Sequence, residues 1–436
     1  MKMNKTLLAI LAMSSVAGVA QAQVNLANAD QSTLSLYGIL DAGVVQMTNA
    51  GNISPNFVTG ANPTGSNSRI GTVRGMMNGG ESQSRWGIKG SEDLGDGNKA
   101  FFQLESAFNV ASGNLATSGL AGGAGTPNMV ADTALNGQLF NRMALIGVSN
   151  TNMGALSFGR HYSLALDVIG SIGGGYDPVN AQMFSPINFS GSYGGGGATD
   201  NSRVDSSIKY ANKFGNINVN ALYGMGGVAA ASTARSNAQL NVGYEADAFG
   251  VQATAQQAKD TTGLSANITP GTVNATFENL TSYMLAGRFS ATEALTLKAG
   301  YERMQISAPS NFAQDAAMTT IYSYNLGTKT AFTGAQRNLN VYWLGGNYQF
   351  TPKTKLSVGY YDIEVPSGTG TGANTVTTST GSDKYLSAMV EYNLSKMTNV
   401  YAAMMLDKKS GSFLGAAGTA SITTFNTYGA GLRIKF

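Results

Sequence analysis

Phe140-Asn141-Arg142-Met143-Ala144-Leu145-Ile146-Gly147-Val148, then Ser149-Asn150-Thr151-Asn152, then Gly154-Ala155-Leu156-Ser157-Phe158-Gly159-Arg160, carry the strongest clue to the architecture of this chain. The run reads as a strand, a short polar turn and a returning strand. About 40 residues with almost no strand pattern come next, His161 to Asp200. A structureless loop of that length is out of place in a compact soluble domain. Inside a wide barrel it has a lumen to fold into.

On either side the same unit recurs: strand, short turn, strand, long loop. Apolar residues alternate with polar or small ones, the period of a sheet with two different faces. Leu295, Leu297, Ala299 and Tyr301 alternate with Thr296, Lys298, Gly300 and Glu302. Val400, Ala402, Met404 and Leu406 alternate with Asn399, Tyr401, Ala403 and Met405. About 16 such segments can be marked between residues 33 and 436. Short connections fall at 92–97, 149–153, 212–215, 245–248, 290–293, 350–352 and 393–396. Long ones fall at 48–82, 111–138, 161–201, 226–236, 259–277, 307–336, 366–381 and 408–420. This alternation is the pattern of a transmembrane β-barrel, and sixteen strands leave an aqueous lumen rather than a filled core. A soluble sandwich, solenoid or propeller also alternates, but it lacks this rhythm of loop lengths.

Composition agrees. Charged residues make up 12% of the chain, about half the usual share for a soluble protein. Yet no stretch after residue 22 approaches the ~20 apolar residues of a spanning helix. A closed barrel reconciles the two, with one face to lipid and the other to water. Lys2 and Lys5, the apolar run Leu7 to Val19 and Ala20-Gln21-Ala22 read as a cleaved secretory signal over residues 1–22, leaving 23–436 as one barrel domain. There is no cysteine, hence no disulfide or thiolate metal site. A net charge of +3 gives no nucleic-acid footprint. No cofactor is expected. The one histidine, His161, is expected as a polar residue at the membrane rim rather than half of a Ser–His pair. Gly173-Gly174-Gly175 and Gly194 to Gly197 lack the lysine and helix of a phosphate loop; they read as bends.

Parity places the charges. Arg85, Gly87 and Lys89 oppose Trp86 and Ile88, so the basic pair is expected in the lumen. Arg142 opposes Met143 and Leu145; Arg203, Asp205 and Lys209 oppose Val204, Ile208 and Tyr210. Glu105 has inward parity on its strand. A charge on the lipid face costs about 2–4 kcal/mol at mid-bilayer, which favours the lumen for all of them. Arg160 breaks the pattern: it shares parity with Leu156 and Phe158 and is expected past the lipid belt or against a neighbouring subunit. In the last strand Tyr428, Ala430, Leu432, Ile434 and Phe436 face one way, and Arg433 and Lys435 the other.

These pieces carry a resemblance. Leu36-Tyr37-Gly38-Ile39-Leu40-Asp41-Ala42-Gly43, Ser84-Arg85-Trp86-Gly87-Ile88-Lys89-Gly90-Ser91-Glu92-Asp93-Leu94-Gly95, Phe102-Gln103-Leu104-Glu105, Phe158-Gly159-Arg160 and the terminal Phe436 resemble Gram-negative general diffusion porins, those of Burkholderiales-type β-proteobacteria above all. The resemblance implies an all-β, 16-stranded antiparallel barrel in the outer membrane, assembled as a homotrimer, with the third long loop folded into the lumen. It implies passive diffusion of small hydrophilic solutes and ions, without turnover chemistry. Arg85, Arg142, Arg203 and, beside them, Lys89 match a basic ladder at the constriction; Glu105, Asp167 and Asp177 match the opposing acids. Phe436 matches the aromatic recognised by the barrel insertion machinery, and membrane lipid and lipopolysaccharide are the implied surroundings. The excess of basic side chains predicts weak anion selectivity. A substrate-specific channel, which would show an aromatic run along the lumen, and a barrel adhesin are the rival readings.

Overall fold

The computed structural model describes residues 23–29, 32–50, 71–111, 113, 115, 129–130, 139–187, 203–266, 272–321, 324–333, 336–366, 380–411 and 423–436. Residues 1–22, the expected signal segment, and the second part of the 161–201 loop lie outside the described residues. The strands are β1 (Gln23–Ala29), β2 (Ser32–Ala50), β3 (Gly71–Asn78), β4 (Arg85–Gly95), β5 (Asn98–Ala107), β6 (Met129–Val130), β7 (Met143–Asn150), β8 (Gly154–Tyr162), β9 (Arg203–Phe214), β10 (Ile217–Gly224), β11 (Asn237–Glu245), β12 (Phe249–Ala266), β13 (Thr272–Ser290), β14 (Leu295–Ser307), β15 (Thr320–Ile321), β16 (Tyr324–Ala331), β17 (Arg337–Thr351), β18 (Thr354–Val365), β19 (Gly381–Asn393), β20 (Thr398–Gly411) and β21 (Thr424–Lys435).

Among the described residues, sixteen of these close an antiparallel barrel: β2, β4, β5, β7 to β14 and β17 to β21. The ring shuts where β21 pairs with β2, from Ile39 opposite Lys435 to Met47 opposite Thr427. Beyond Lys435, Phe436 exchanges both backbone hydrogen bonds with Gly38, at 2.8 and 3.0 Å. Closure leaves no unpaired edge in the hydrocarbon.

Burial follows the expected parity on most strands. Leu386, Val390 and Tyr392 of β19 face outward, while Ser387, Met389 and Glu391 are buried. Aromatic pairs mark both rims: Tyr301 and Tyr342 at the long-loop end, Tyr348 with Phe350 and Tyr244 with Phe249 at the short-turn end. On β17, Tyr342 and Phe350 are eight residues apart. That is roughly 27 Å along a strand and on the order of 20 Å along the axis of a tilted barrel, close to the apolar band of an outer membrane. The outward ion pair of Lys384 with Asp362, at 3.0 Å, sits at the long-loop edge of that band.

The seven short turns stand where expected. The long connections are more structured than the sequence reading had them. The 48–82 segment contains β3, which continues the line of β4 along β2. The 259–277 loop shrinks to 267–271, because β12 and β13 run on for 18 and 19 residues. Apolar alternation stops where the strands leave lipid, but backbone pairing does not. The 307–336 segment holds β15, β16 and the short helix Phe312–Asp315.

Gly38 lies under the Phe436 ring: a Cβ there would stand 2.4 Å from the ring and 2.8 Å from the Arg85 carbonyl. Gly38→Val is therefore expected to lower barrel stability by ~1–3 kcal/mol, an overpacking cost. The urea midpoint for loss of the folded, heat-modifiable gel band measures this; an unchanged midpoint contradicts the close packing of the seam.

Candidate functional site

The third long connection enters the lumen. After β8, Ser163 caps helix α1 (Leu164–Gly170), its hydroxyl accepting from the Leu166 N–H. A 3-10 turn, Ile172–Gly174, comes after it. The described part of the loop, 161–187, is thus partly helical where the sequence pattern predicts no regular structure. Its apolar side packs on the wall from β12 to β20: Val168, Ile169, Tyr176, Met183 and Phe184 share one cluster with Met284, Trp343, Tyr361, Met389 and Tyr401. Polar bonds fix the backbone to that wall. Trp343 Nε1 donates to the Tyr176 carbonyl at 3.0 Å, and Asn347 Nδ2 to the Pro178 carbonyl at 2.7 Å.

The other wall is charged. Glu105, fully buried on β5, is its centre. Arg142 Nε is 2.5 Å from Oε1 and Arg85 Nε 4.0 Å from Oε2. The phenol of Tyr162 donates to Oε1 at 2.6 Å, and that of Tyr37 to Oε2 at 3.0 Å. Arg142 and Arg203 lie 5.3 and 5.4 Å from the Tyr162 ring, and Lys89 5.3 Å from that of Tyr37. The quadrupole of each ring adds to the carboxylate's attraction for the cations.

The expected site residues Arg85, Lys89, Glu105, Arg142 and Arg203 thus come together. Two of them reach the lumen by a different route. On β7, Met143 and Leu145 point inward and Ile146 and Val148 outward, the reverse of the expected faces. Arg142 precedes the strand in a bend, which turns its guanidinium to Glu105. Val204 is buried against Leu164 and Leu222 although it neighbours Arg203. Ser206, at φ 48°, shifts the faces between Val204 and Ser207.

Arg160 is a correction. It is neither past the lipid belt nor at an outer face: its side chain is buried, pairs with Asp205 and donates to the Asn141 carbonyl at 3.1 and 3.0 Å. The reason is Gly159, whose φ of +135° coincides with a register shift between β8 and β9 that turns the next side chain inward. No other residue fits there, since a Cβ would stand 2.1 Å from the Ala144 carbonyl.

The two loop acids part company. Asp167 on α1 pairs with Lys209 of β9, joining the charged wall. Burial raises its carboxyl above the ordinary range, by more than Lys209 lowers it. Asp177 lies away from the arginines. Its carboxylate accepts from the Tyr361 phenol at 2.5 Å, and Lys298 donates to its carbonyl at 3.1 Å, so it rivets the loop to β14 and β18. Its carboxyl too is raised by burial. Among the described residues, the charged wall gathers six cations, Arg85, Lys89, Arg142, Arg160, Arg203 and Lys209, against three carboxylates, Glu105, Asp167 and Asp205.

His161 is buried rather than at the rim. Ser157 Oγ and Ser207 Oγ each stand 2.8 Å from one of its ring nitrogens. A hydroxyl, not a carboxylate, faces Nδ1, so the orienting acid of a catalytic triad is missing.

A lipid-facing barrel whose lumen is narrowed by one inward loop and lined by opposed charges defines a pore-forming outer-membrane class. The chain belongs to the Gram-negative porin family, which it matches over residues 7–412, and its place is the outer membrane. A stretch of 186 residues is 38% identical to an outer membrane porin protein of Bordetella pertussis; the match spans 42% of this chain and 40% of that relative's length. Among solved structures, the anion-selective porin from Comamonas acidovorans superposes with a TM-score of 0.62 at 17% identity, over 93% of this chain and all of the other. OmpT of Vibrio cholerae superposes at 0.58 and 18%, over 94% and 99%, and another OmpT structure, at 0.57, is of its trimer form. At these identities the likeness concerns the fold.

Glu105→Gln is expected to destabilise the barrel by about 3–5 kcal/mol, because it leaves Arg85 and Arg142 buried without their counter-charge. Urea unfolding of the refolded protein measures it, and a loss below about 1 kcal/mol contradicts the central role given to this carboxylate.

Proposed function

We propose that this chain forms a water-filled channel through which small hydrophilic solutes and ions diffuse passively, with a weak preference for anions. The observation that carries the reading is the asymmetry of the lumen. The loop is fastened by apolar contacts to one wall, and on the facing side six cations meet two carboxylates of the wall, Glu105 and Asp205, and one of the loop, Asp167. Arg85, Lys89, Arg142 and Arg203, with Glu105 and Asp167, form the constriction in this reading; Asp177 serves it by holding the loop. Opposed charges across a narrow opening orient water and make it costly for an apolar solute to displace it, and a surplus of fixed cations favours anions.

The working unit is a homotrimer set in lipid and lipopolysaccharide, its barrel delivered by insertion machinery that reads the strand ending at Phe436. No cofactor and no nucleic acid take part. The rings of Tyr37 and Tyr162 lend no support to the substrate-specific alternative, since they are buried against the cations with their phenols on Glu105. That alternative requires flux that saturates with solute.

Single-channel recording in planar bilayers under a salt gradient is the test. Wild type should conduct, with the reversal potential displaced toward that of the anion. Removing one cation from the aperture takes away ~1 kcal/mol of attraction for an anion ~8 Å distant at an effective dielectric of ~40, and as much repulsion of a cation, about fivefold in the occupancy of each and roughly thirtyfold in their ratio. Arg203→Gln should show that shift. A wild-type potential on the cation side, or no current from folded protein, overturns the reading.

A further inference from the structure

The second position of the barrel is not one strand. Between the Ala42–Asn78 pair and the Ile39–Arg85 pair, β2 spends Leu40 and Asp41 while the neighbouring chain spends six residues, Gly79 to Ser84. The surplus folds inward and is almost wholly buried. Nothing in the alternation of the sequence announces it, because strand pattern is simply absent there.

Asp41 holds this turn. Its carboxylate accepts from the N–H groups of Glu81 and Ser82, at 3.0 and 2.6 Å, and from the Tyr401 phenol at 2.6 Å. Its backbone carbonyl accepts from the Gly79 N–H at 2.9 Å. The turn in turn holds the lumen loop: the Gln182 N–H donates to the Glu81 carbonyl at 3.0 Å, and the Met183 N–H to the Gly80 carbonyl at 3.1 Å. At its far end Gln83 accepts a hydrogen bond from Arg142 Nη1. Six residues thus connect a buried carboxylate of the wall, the backbone of the constriction loop and the arginine cluster.

We propose that the inward turn Gly79–Ser84 is a clamp that sets the aperture, with Asp41 as its positioning residue. The inference rests on the pore reading, since an aperture matters only if the lumen conducts. Asp41 touches no solute. It acts by fixing two backbone carbonyls to which the loop is tied and by presenting Gln83 to Arg142. Glu81 secures the other side of the turn, 2.5 Å from Arg433.

The test compares three variants of the full-length barrel, refolded and checked by heat-modifiable gel mobility. Asp41→Asn keeps the shape but removes the charge and one of the two oxygens that accept from the Glu81 and Ser82 amides and the Tyr401 phenol. Tyr401→Phe removes one hydroxyl from the same carboxylate and is milder. Asp383→Asn takes an equal charge from the lumen away from the turn, where Asp383 pairs with Lys409. Hydrogen exchange of the loop amides is read beside single-channel noise and reversal potential. Asp41→Asn is expected to speed exchange at Gln182 and Met183 about tenfold or more, the scale of losing one hydrogen bond to a carboxylate, and to raise open-channel noise. It should also displace the reversal potential beyond the shift given by Asp383→Asn. Tyr401→Phe should move the same way by less, and Asp383→Asn should leave exchange and noise alone. Wild-type exchange and noise in folded Asp41→Asn and Tyr401→Phe overturn the clamp; if Asp41→Asn does not fold, Tyr401→Phe decides. A wild type that protects these amides yet passes no current overturns the pore reading instead, and the exchange comparison still judges the clamp.

Discussion

Everything in this molecule answers to the cost of placing charge or unpaired backbone in hydrocarbon. That cost closes the barrel, since an open edge would leave a row of N–H and C=O groups without partners. It also drives the ionisable side chains of the spanning strands inward or to the rims. Once gathered in the lumen, the charges must be reconciled with one another, and Glu105 is where this happens. A single buried carboxylate accepts two phenols and faces Arg85 and Arg142. The remaining cations settle on tyrosine rings or on Asp167 and Asp205.

How much of this was legible in the sequence depends on whether period two held. Where it held, as on β4, β14, β19 and β20, parity alone placed Arg85, Lys89, Lys298 and Tyr401 inside. It failed at three local events. Gly159 and Ser206 take positive φ, and Arg142 sits in a bend before its strand. Gly159 and the bend at Arg142 flip the faces of the residues after them, so parity puts Arg160 on the wrong side, while the break at Ser206 separates Val204 from Ser207 and Lys209, which keep the expected face. Arg142 and Arg203 were assigned to the right side while their neighbours Met143, Leu145 and Val204 were not. A bulge costs one residue and leaves no compositional trace, except a glycine among many glycines. These bulges cluster beside the charged wall, where re-aiming a side chain matters most.

The loop shows a second limit of reading by faces. An inward apolar residue looks like an error in a water-filled barrel, yet Met284, Trp343, Met389 and Tyr401 are buried because the loop covers them. The apolar side chains of the loop itself, from Val168 to Phe184, carry the complementary half of that contact. The barrel therefore has two interiors. One is packed like the core of a soluble protein and fixes the loop; the other is charged and polar. Spacing along single strands cannot reveal that division, because it depends on which strands lie opposite one another.

The two interiors need to be joined, or the loop could slide on its apolar bed without regard to the charges. Two features make the junction. Asp167 reaches from α1 to Lys209, and the inward turn ties Gln182 and Met183 to a segment that also bonds Arg142. Apolar contact is non-directional and tolerates small displacements, whereas these bonds are directional and sit at opposite ends of the described loop. A loop pinned at both ends holds its distance from the arginines. The field between them is then a property of the fold rather than of a fluctuating side chain. In this arrangement the apolar bed supplies adhesion, and two small polar attachments supply the register.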